Sequence, residues 1–224
     1  MDRFVQDLHE LLLDRKAEDV TLLGHSYGGT LALEYVLAHP QGVRQIILEN
    51  GFVDAPMSME DRIGDAAATC KQKDIPEIEA ITQKYAEGQQ LSFNELKRLV
   101  KGDLEPHYWY DPSMRAQIVE GGYERWGYTQ ENGSLNWALC EKFWDQGLFT
   151  SYSFFTRLEE IMKPVLVLTG RHDRVISPRH AEETARRLPR SQLAIFEKSG
   201  HFPHIEEPEA FRQLIYTFVE QGVE

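Results

Sequence analysis

The run Gly24-His25-Ser26-Tyr27-Gly28-Gly29 sets a serine midway between two glycines, in the pattern G-x-S-x-G. An apolar, β-rich stretch (residues 20–23) leads in and a helical stretch (30–37) leads out. A strand-to-helix turn this sharp crowds the backbone, and Gly24 and Gly28 are expected to give it room. Serine is a weak nucleophile until a base takes its proton, and that base needs an acid to hold its tautomer. Two later loops offer these groups. One reads Gly170-Arg171-His172-Asp173-Arg174-Val175, the other Glu197-Lys198-Ser199-Gly200-His201-Phe202-Pro203-His204. Asp173 is placed to be the acid and His201 the base, for attack by Ser26 on a carbonyl carbon. The Tyr27 N–H, at a helix N-terminus, would face the oxyanion. Asp54 is a rival acid and His204 a rival base. His25 reads as a local packing or substrate-contacting residue and His172 as a loop residue.

The elements that position these loops are legible as runs of apolar residues. Phe4, Val5, Leu8, Leu11 and Leu12 recur at helical spacing, so residues 3–16 are expected to form an amphipathic helix. Strands follow at 20–23 and 44–49, with a helix at 30–38 between them. The continuous apolar run 164–170 suits a central parallel strand buried on both faces. A helix from Pro178, with Ser177 as its N-cap, a strand at 193–196 and a helix at 209–219 complete the alternation. This order predicts an α/β fold with a doubly wound, mostly parallel sheet. In such a sheet the residues that must meet come from the carboxyl ends of strands.

Residues 54–148 have a different texture, with no clear strand. Helices are expected at 59–72, 77–85 and 93–101, the last opened by a capping box of Ser92 with Glu95 and stopped at Gly102. All four tryptophans (Trp109, Trp126, Trp137, Trp144) fall here, and acids outnumber bases. The domain reading is a core of residues 1–53 and 149–224 with a helical insertion over 54–148.

The 224 residues are 42% hydrophobic and 27% charged, an ordinary globular composition, and carry a net charge of −12. That charge argues against nucleic acid and anionic membranes as partners. No apolar run approaches the roughly 20 residues of a membrane span. The acids near Met1 do not fit a signal peptide. Cys70 and Cys140 read as free, buried thiols in a reducing, cytoplasmic compartment. Nothing asks for a metal, nucleotide, flavin or other cofactor.

The three loops resemble the signature loops of the α/β-hydrolase superfamily, in its chain order Ser, Asp, His. Glu206-Glu207-Pro208-Glu209-Ala210-Phe211 is similar to the start of that family's last helix. The likeness covers residues 3–53 and 150–221, and 54–148 falls where the family inserts a helical cap. The elbow and Thr30-Leu31-Ala32-Leu33-Glu34-Tyr35 look most like proline iminopeptidases and related esterases. The resemblance implies a serine hydrolase acting on a small-molecule or short-peptide ester or amide through an acyl-enzyme. An N-terminal ammonium would suit an acidic, aromatic cap, and an ester or lactone is the close alternative. Substrate-contacting candidates are His25, Trp109, Trp126, Trp144 and Glu124. Glu120 and Glu141 are weighed against solvated helix charges, and His107-Tyr108-Trp109-Tyr110 against cap core. Family members begin with four further strands, whose loop supplies a second oxyanion donor. This chain has no residues for them before its first helix. It is therefore expected to be an N-terminally truncated piece, or to be completed by another subunit at an exposed sheet edge as a homo-oligomer. A catalytically silent binding module is the reading from another class, and a cofactor-free lyase or perhydrolase a third.

Overall fold

Four short apolar runs become four parallel strands in the computed structural model, which describes residues 1–99, 107–114, 137–147 and 149–221. They are β1 (Val20–His25), β2 (Val43–Glu49), β3 (Val165–Gly170) and β4 (Ser191–Phe196), hydrogen-bonded in chain order. The register runs Gly24 to Leu48, Leu48 to Val167 and Val167 to Leu193. All four carboxyl ends therefore lie along one edge of the sheet. The loops after β1, β3 and β4, which carry Ser26, Asp173 and His201, all leave from that edge.

Alternation along β2 and β3 sends side chains to two apolar layers. Ile46, Leu48, Val165 and Val167 pack with Val5 of α1 (Asp2–Asp14), Leu33 and Val36 of α2 (Tyr27–Ala38), and Ala181 of α7 (Pro178–Arg187). Ile47, Leu166 and Leu168 face the opposite layer, covered by Phe211, Leu214 and Phe218 of α8 (Pro208–Gln221). Every residue of β3 is buried, as its unbroken apolar run requires. The α1 stripe is narrower than expected. Val5, Leu8 and Leu12 pack on the core, whereas Phe4 and Leu11 are exposed. Strand β1 pairs only with β2 among the described residues, and its Leu23 is 47% exposed.

Between β2 and β3, helices α3 (Ala55–Thr69), α4 (Ile75–Ala86), α5 (Phe93–Leu99) and α6 (Trp137–Asp145) gather around an apolar cluster of their own. Met59, Ile63, Ile78, Ile81, Leu96 and Trp144 belong to it. Val53 O accepts from Phe154 N (2.9 Å) and Ala55 N donates to Tyr152 O (2.7 Å), which fastens the two ends of this segment side by side. Helix α3 starts four residues earlier than the pattern suggests. Its cap is Asp54, whose carboxylate accepts from Met57 N at 2.7 Å, and Ser58 is already inside the helix. At α5 the capping box forms as expected: Glu95 accepts from Ser92 N (2.6 Å) and Ser92 Oγ from Glu95 N (3.2 Å). Its expected stop at Gly102 lies outside the described residues. Ser177 precedes α7, but its hydroxyl donates to Asp61 and caps nothing. Cys70 is half-buried rather than buried, and the Cys140 side chain lies outside the described residues. No described helix is long and apolar enough to cross a membrane.

Candidate active site

The turn between β1 and α2 is as tight as the glycines imply, with one correction. A Cβ on Gly24 would sit 2.3 Å from Gly28 O, and one on Gly29 would sit 2.9 Å from Gly51 Cα. A Cβ on Gly28 would meet nothing within 4 Å. Gly24 and Gly29 are the sterically required glycines, and Gly28 contributes the backbone that Gly24 lies against. Ser26 takes φ 53°, ψ −122°, a conformation costly for a residue with a side chain, by about 1–3 kcal/mol. Its backbone is held on both sides. Ser26 N donates to Glu49 O (2.9 Å), and Ser26 O accepts from Gly29 N (3.0 Å) and Phe52 N (2.9 Å). Ser26 Oγ has no hydrogen bond to any described residue. Tyr27 N–H is the first amide of α2, one of the four that a helix cannot satisfy internally. The Tyr27 ring stacks on Phe143 at 5.6 Å and lines the same cavity as Ser26.

Asp173 and His201 are brought together by the neighbouring carboxyl ends of β3 and β4. His201 Nδ1 lies 2.7 Å from Asp173 Oδ2, and both side chains are buried. The ionised carboxylate can only accept, so Nδ1 carries the proton and Nε2 is left with its lone pair. Asp173 Oδ1 accepts from Val175 N (2.8 Å) and Ile176 N (3.0 Å). Asn50, at the end of β2, donates its amide to Asp173 Oδ2. In the sequence Asn50 marks only the end of a strand, not a site residue. Its only local signal is the Asn-Gly pair after a strand, realised as φ 46°. Gly200 lets the histidine loop approach the 107–110 turn. A Cβ there would lie 2.2 Å from Tyr108 O, the carbonyl that accepts from His201 N at 2.5 Å. Glu206 Oε2 accepts from Gly200 N (2.6 Å) and Glu207 Oε2 from Lys198 N (2.8 Å), so the two glutamates after the loop fix its path.

The rival groups have other partners. Asp54 caps α3 and accepts from Ser153, away from His201. His204 Nδ1 pairs with Glu49 Oε1 at 2.6 Å. His25 places Nε2 2.8 Å from His201 O, with its ring 4.7 Å from the His201 ring. Burial, helped by the nearby His201, holds its pKa down at about 4. His25 does not line the cavity at Ser26, and its hydrogen bond to His201 O braces the His201 loop. The His172 ring lies 4.5 Å from the Tyr110 ring, and its backbone N donates to Ser199 O (2.9 Å). Trp109 packs on Phe202 at 4.7 Å and also misses the cavity. Trp144 does line it, with Nε1–H donating to Leu91 O at 2.7 Å. Glu141 is exposed. Trp126, Glu120 and Glu124 lie outside the described residues.

The cavity that opens at Ser26 holds about 220 Å³. Its walls are mostly apolar, with Phe52, Met59, Leu96, Trp144, Phe149 and Ile176 prominent, and Ser58 and Arg62 enter from α3. A strained serine, a helix N-terminus, a carboxylate-oriented imidazole and a small apolar cavity are the parts of an acyl-transfer site.

A family model described as alpha/beta hydrolase fold matches residues 1–208. A proline iminopeptidase of Heyndrickxia coagulans is 26% identical over 226 residues, covering 98% of this chain and 73% of the relative. AB hydrolase superfamily protein YclE of Bacillus subtilis (strain 168) is 27% identical over 230 residues, covering 99% and 75%. Among solved structures, an alpha/beta fold family hydrolase from Bacillus anthracis str. Sterne superposes with a TM-score of 0.64. It is 19% identical and covers 95% of this chain and 71% of that one. Proline iminopeptidase of Mycobacterium smegmatis gives 0.64 at 21% identity, covering 97% and 70%. The structural likenesses speak for the fold alone.

Proposed function

For a chain that belongs to the alpha/beta hydrolase fold family, we propose a serine hydrolase that cleaves an ester or amide bond through an acyl-enzyme. The observation that carries this reading is the buried Asp173–His201 pair, set on the same sheet edge as a strained serine that opens on a cavity. Ser26 Oγ attacks the substrate carbonyl while His201 Nε2 takes its proton. Tyr27 N–H receives charge on the carbonyl oxygen, which is stabilised by hydrogen-bond donors set in advance. The tetrahedral intermediate collapses, and His201 returns the proton to the departing alcohol or amine. Water, deprotonated by the same nitrogen, then attacks the acyl-enzyme and releases the acid, restoring Ser26. Asp173 orients the imidazole and stabilises the imidazolium.

No carboxylate lines the described part of the cavity, so a short acyl ester fits it better than an N-terminal ammonium. The test is labelling by a fluorophosphonate, which reacts with activated serines, beside Ser26→Ala and His201→Ala. Labelling of the unaltered chain alone is expected. A folded but unlabelled chain would overturn the reading and favour a binding module on the same fold. Short acyl esters set against an N-terminal prolyl amide then divide esterase from iminopeptidase.

A further inference from the structure

The cavity at Ser26 contains a cation that the acyl-transfer steps do not use. Arg62 lies on α3, four residues after Ser58 and three after Met59, and all three side chains line the cavity wall. Its Nη1 is shut off from solvent and has no hydrogen-bond partner among the described residues. The carboxylates around it are already engaged. Asp65 takes two contacts from Arg174, at 3.1 and 2.6 Å, and lies 3.7 Å from His107. Asp173 is held by His201, Asn50 and two backbone amides. Tyr108, also on the cavity wall, is the remaining titratable neighbour among the described residues. Burial pulls the Arg62 guanidinium down from its usual pKa, the sign of a desolvated cation. A guanidinium cannot shed its proton in a protein, so the cost of a dry, unpaired donor stays until an acceptor arrives.

We propose that Arg62 binds a carboxylate on the substrate, so that the acyl compound cleaved at Ser26 is a monoanion held by its charged end. The proposal deepens the hydrolase reading and rests on it. A carboxylate matches the planar fork of the guanidinium. The Ser58 hydroxyl, one helical turn away on the same wall, offers a further donor. A phosphate dianion would keep one charge uncompensated among apolar walls, near Asp65 and Asp173. An ammonium would meet Arg62 as a like charge.

The test has two arms, kept apart so that each reading can fail alone. In the first, Ser26→Ala protein is titrated calorimetrically with butyrate and with butyramide, its neutral counterpart. Butyrate is expected to bind about tenfold or more tightly, as hydrogen bonds to charged groups do, and Arg62→Met to erase the difference. Equal binding of the two, or a preference that survives Arg62→Met, would overturn the proposal. In the second, the mono-nitrophenyl ester of glutaric acid is compared with nitrophenyl valerate. The ratio of their kcat/KM values is expected to fall about tenfold or more in Arg62→Met, with the neutral ester still cleaved. An unchanged ratio would overturn the proposal. Failure of the unaltered chain to cleave either ester would count against the hydrolase reading, and the titration would still decide Arg62. Arg62→Lys keeps the charge without the fork and is expected to fall between the two. It decides the matter if Arg62→Met does not melt cooperatively.

Discussion

Acidification should destabilise this fold through a histidine that takes no part in the proposed chemistry. His180 is completely buried on α7, beside the Phe52 and Phe155 rings. Its Nε2 accepts from Val53 N (3.1 Å) and Asp54 N (3.2 Å), the residues that lead from the sheet into α3. Only the neutral ring can accept there, and Nδ1 has no partner among the described residues. Burial lowers its pKa from 6.5 to about 4, with Asp54, Asp61 and Asp173 opposing the shift weakly. Above pH 6.5 the folded and unfolded chains both hold the ring neutral, and the full stability is present. Between 6.5 and about 4 the unfolded chain takes up a proton that the fold refuses, so stability falls as pH falls. At 1.36 kcal/mol per pH unit, the loss from pH 7 to pH 5 is about 2 kcal/mol for this one residue. His25 carries a shift of the same sign and size, which brings the pair to about 4 kcal/mol. The assay is urea unfolding at pH 7 and pH 5, for the unaltered chain and for His180→Gln, whose amide oxygen keeps an acceptor for the two N–H groups. The variant is expected to lose about 2 kcal/mol less on acidification. An equal loss in both proteins would refute the reasoning.

Four other outcomes follow from the geometry. Asp173→Asn should turn an N–H₂ towards groups that are themselves donors and lower kcat by about 10⁴-fold on any substrate the unaltered chain cleaves, measured under saturating conditions. Gly24→Ala should destabilise by about 3 kcal/mol or more, because its Cβ meets Gly28 O at 2.3 Å. Gly28→Ala, with open space and a helical position, should leave the melting temperature unchanged or raise it. The outer strand β1, with Leu23 exposed, is expected to support self-association that Leu23→Lys weakens. Sedimentation of the unaltered chain as a monomer at every concentration would refute that pairing.

Much of the site was written locally. Apolar runs at strand spacing, each followed by a polar loop, place Ser26, Asp173 and His201 after three strands. Once those strands are parallel, their carboxyl ends have to share an edge. The capping box at Ser92 and the elbow are equally short-range, and both form as their residues dictate. Sequence therefore determined the fold class, the order of the elements and the three residues that the proposed chemistry needs.

The choice of partner among buried polar groups is a matter of packing between different elements of the fold, some of them more than a hundred positions apart. Asp54 and Asp173 follow strands in the same way, yet one caps a helix and the other holds His201. Asn50 reaches Asp173 only because β2 lies beside β3. Ser177 has the right position for a cap, but its hydroxyl turns to Asp61 on α3. Gly28 looks as constrained as Gly24 in the motif, but only a Cβ at Gly24 would meet the opposite arm of the turn. Nothing in the sequence marks out Arg62, and only the tertiary structure puts it in the cavity wall with no acceptor for Nη1 among the described residues. Periodicity fixes which face of an element is apolar. What a polar side chain finds on that face is decided only when the faces close on one another.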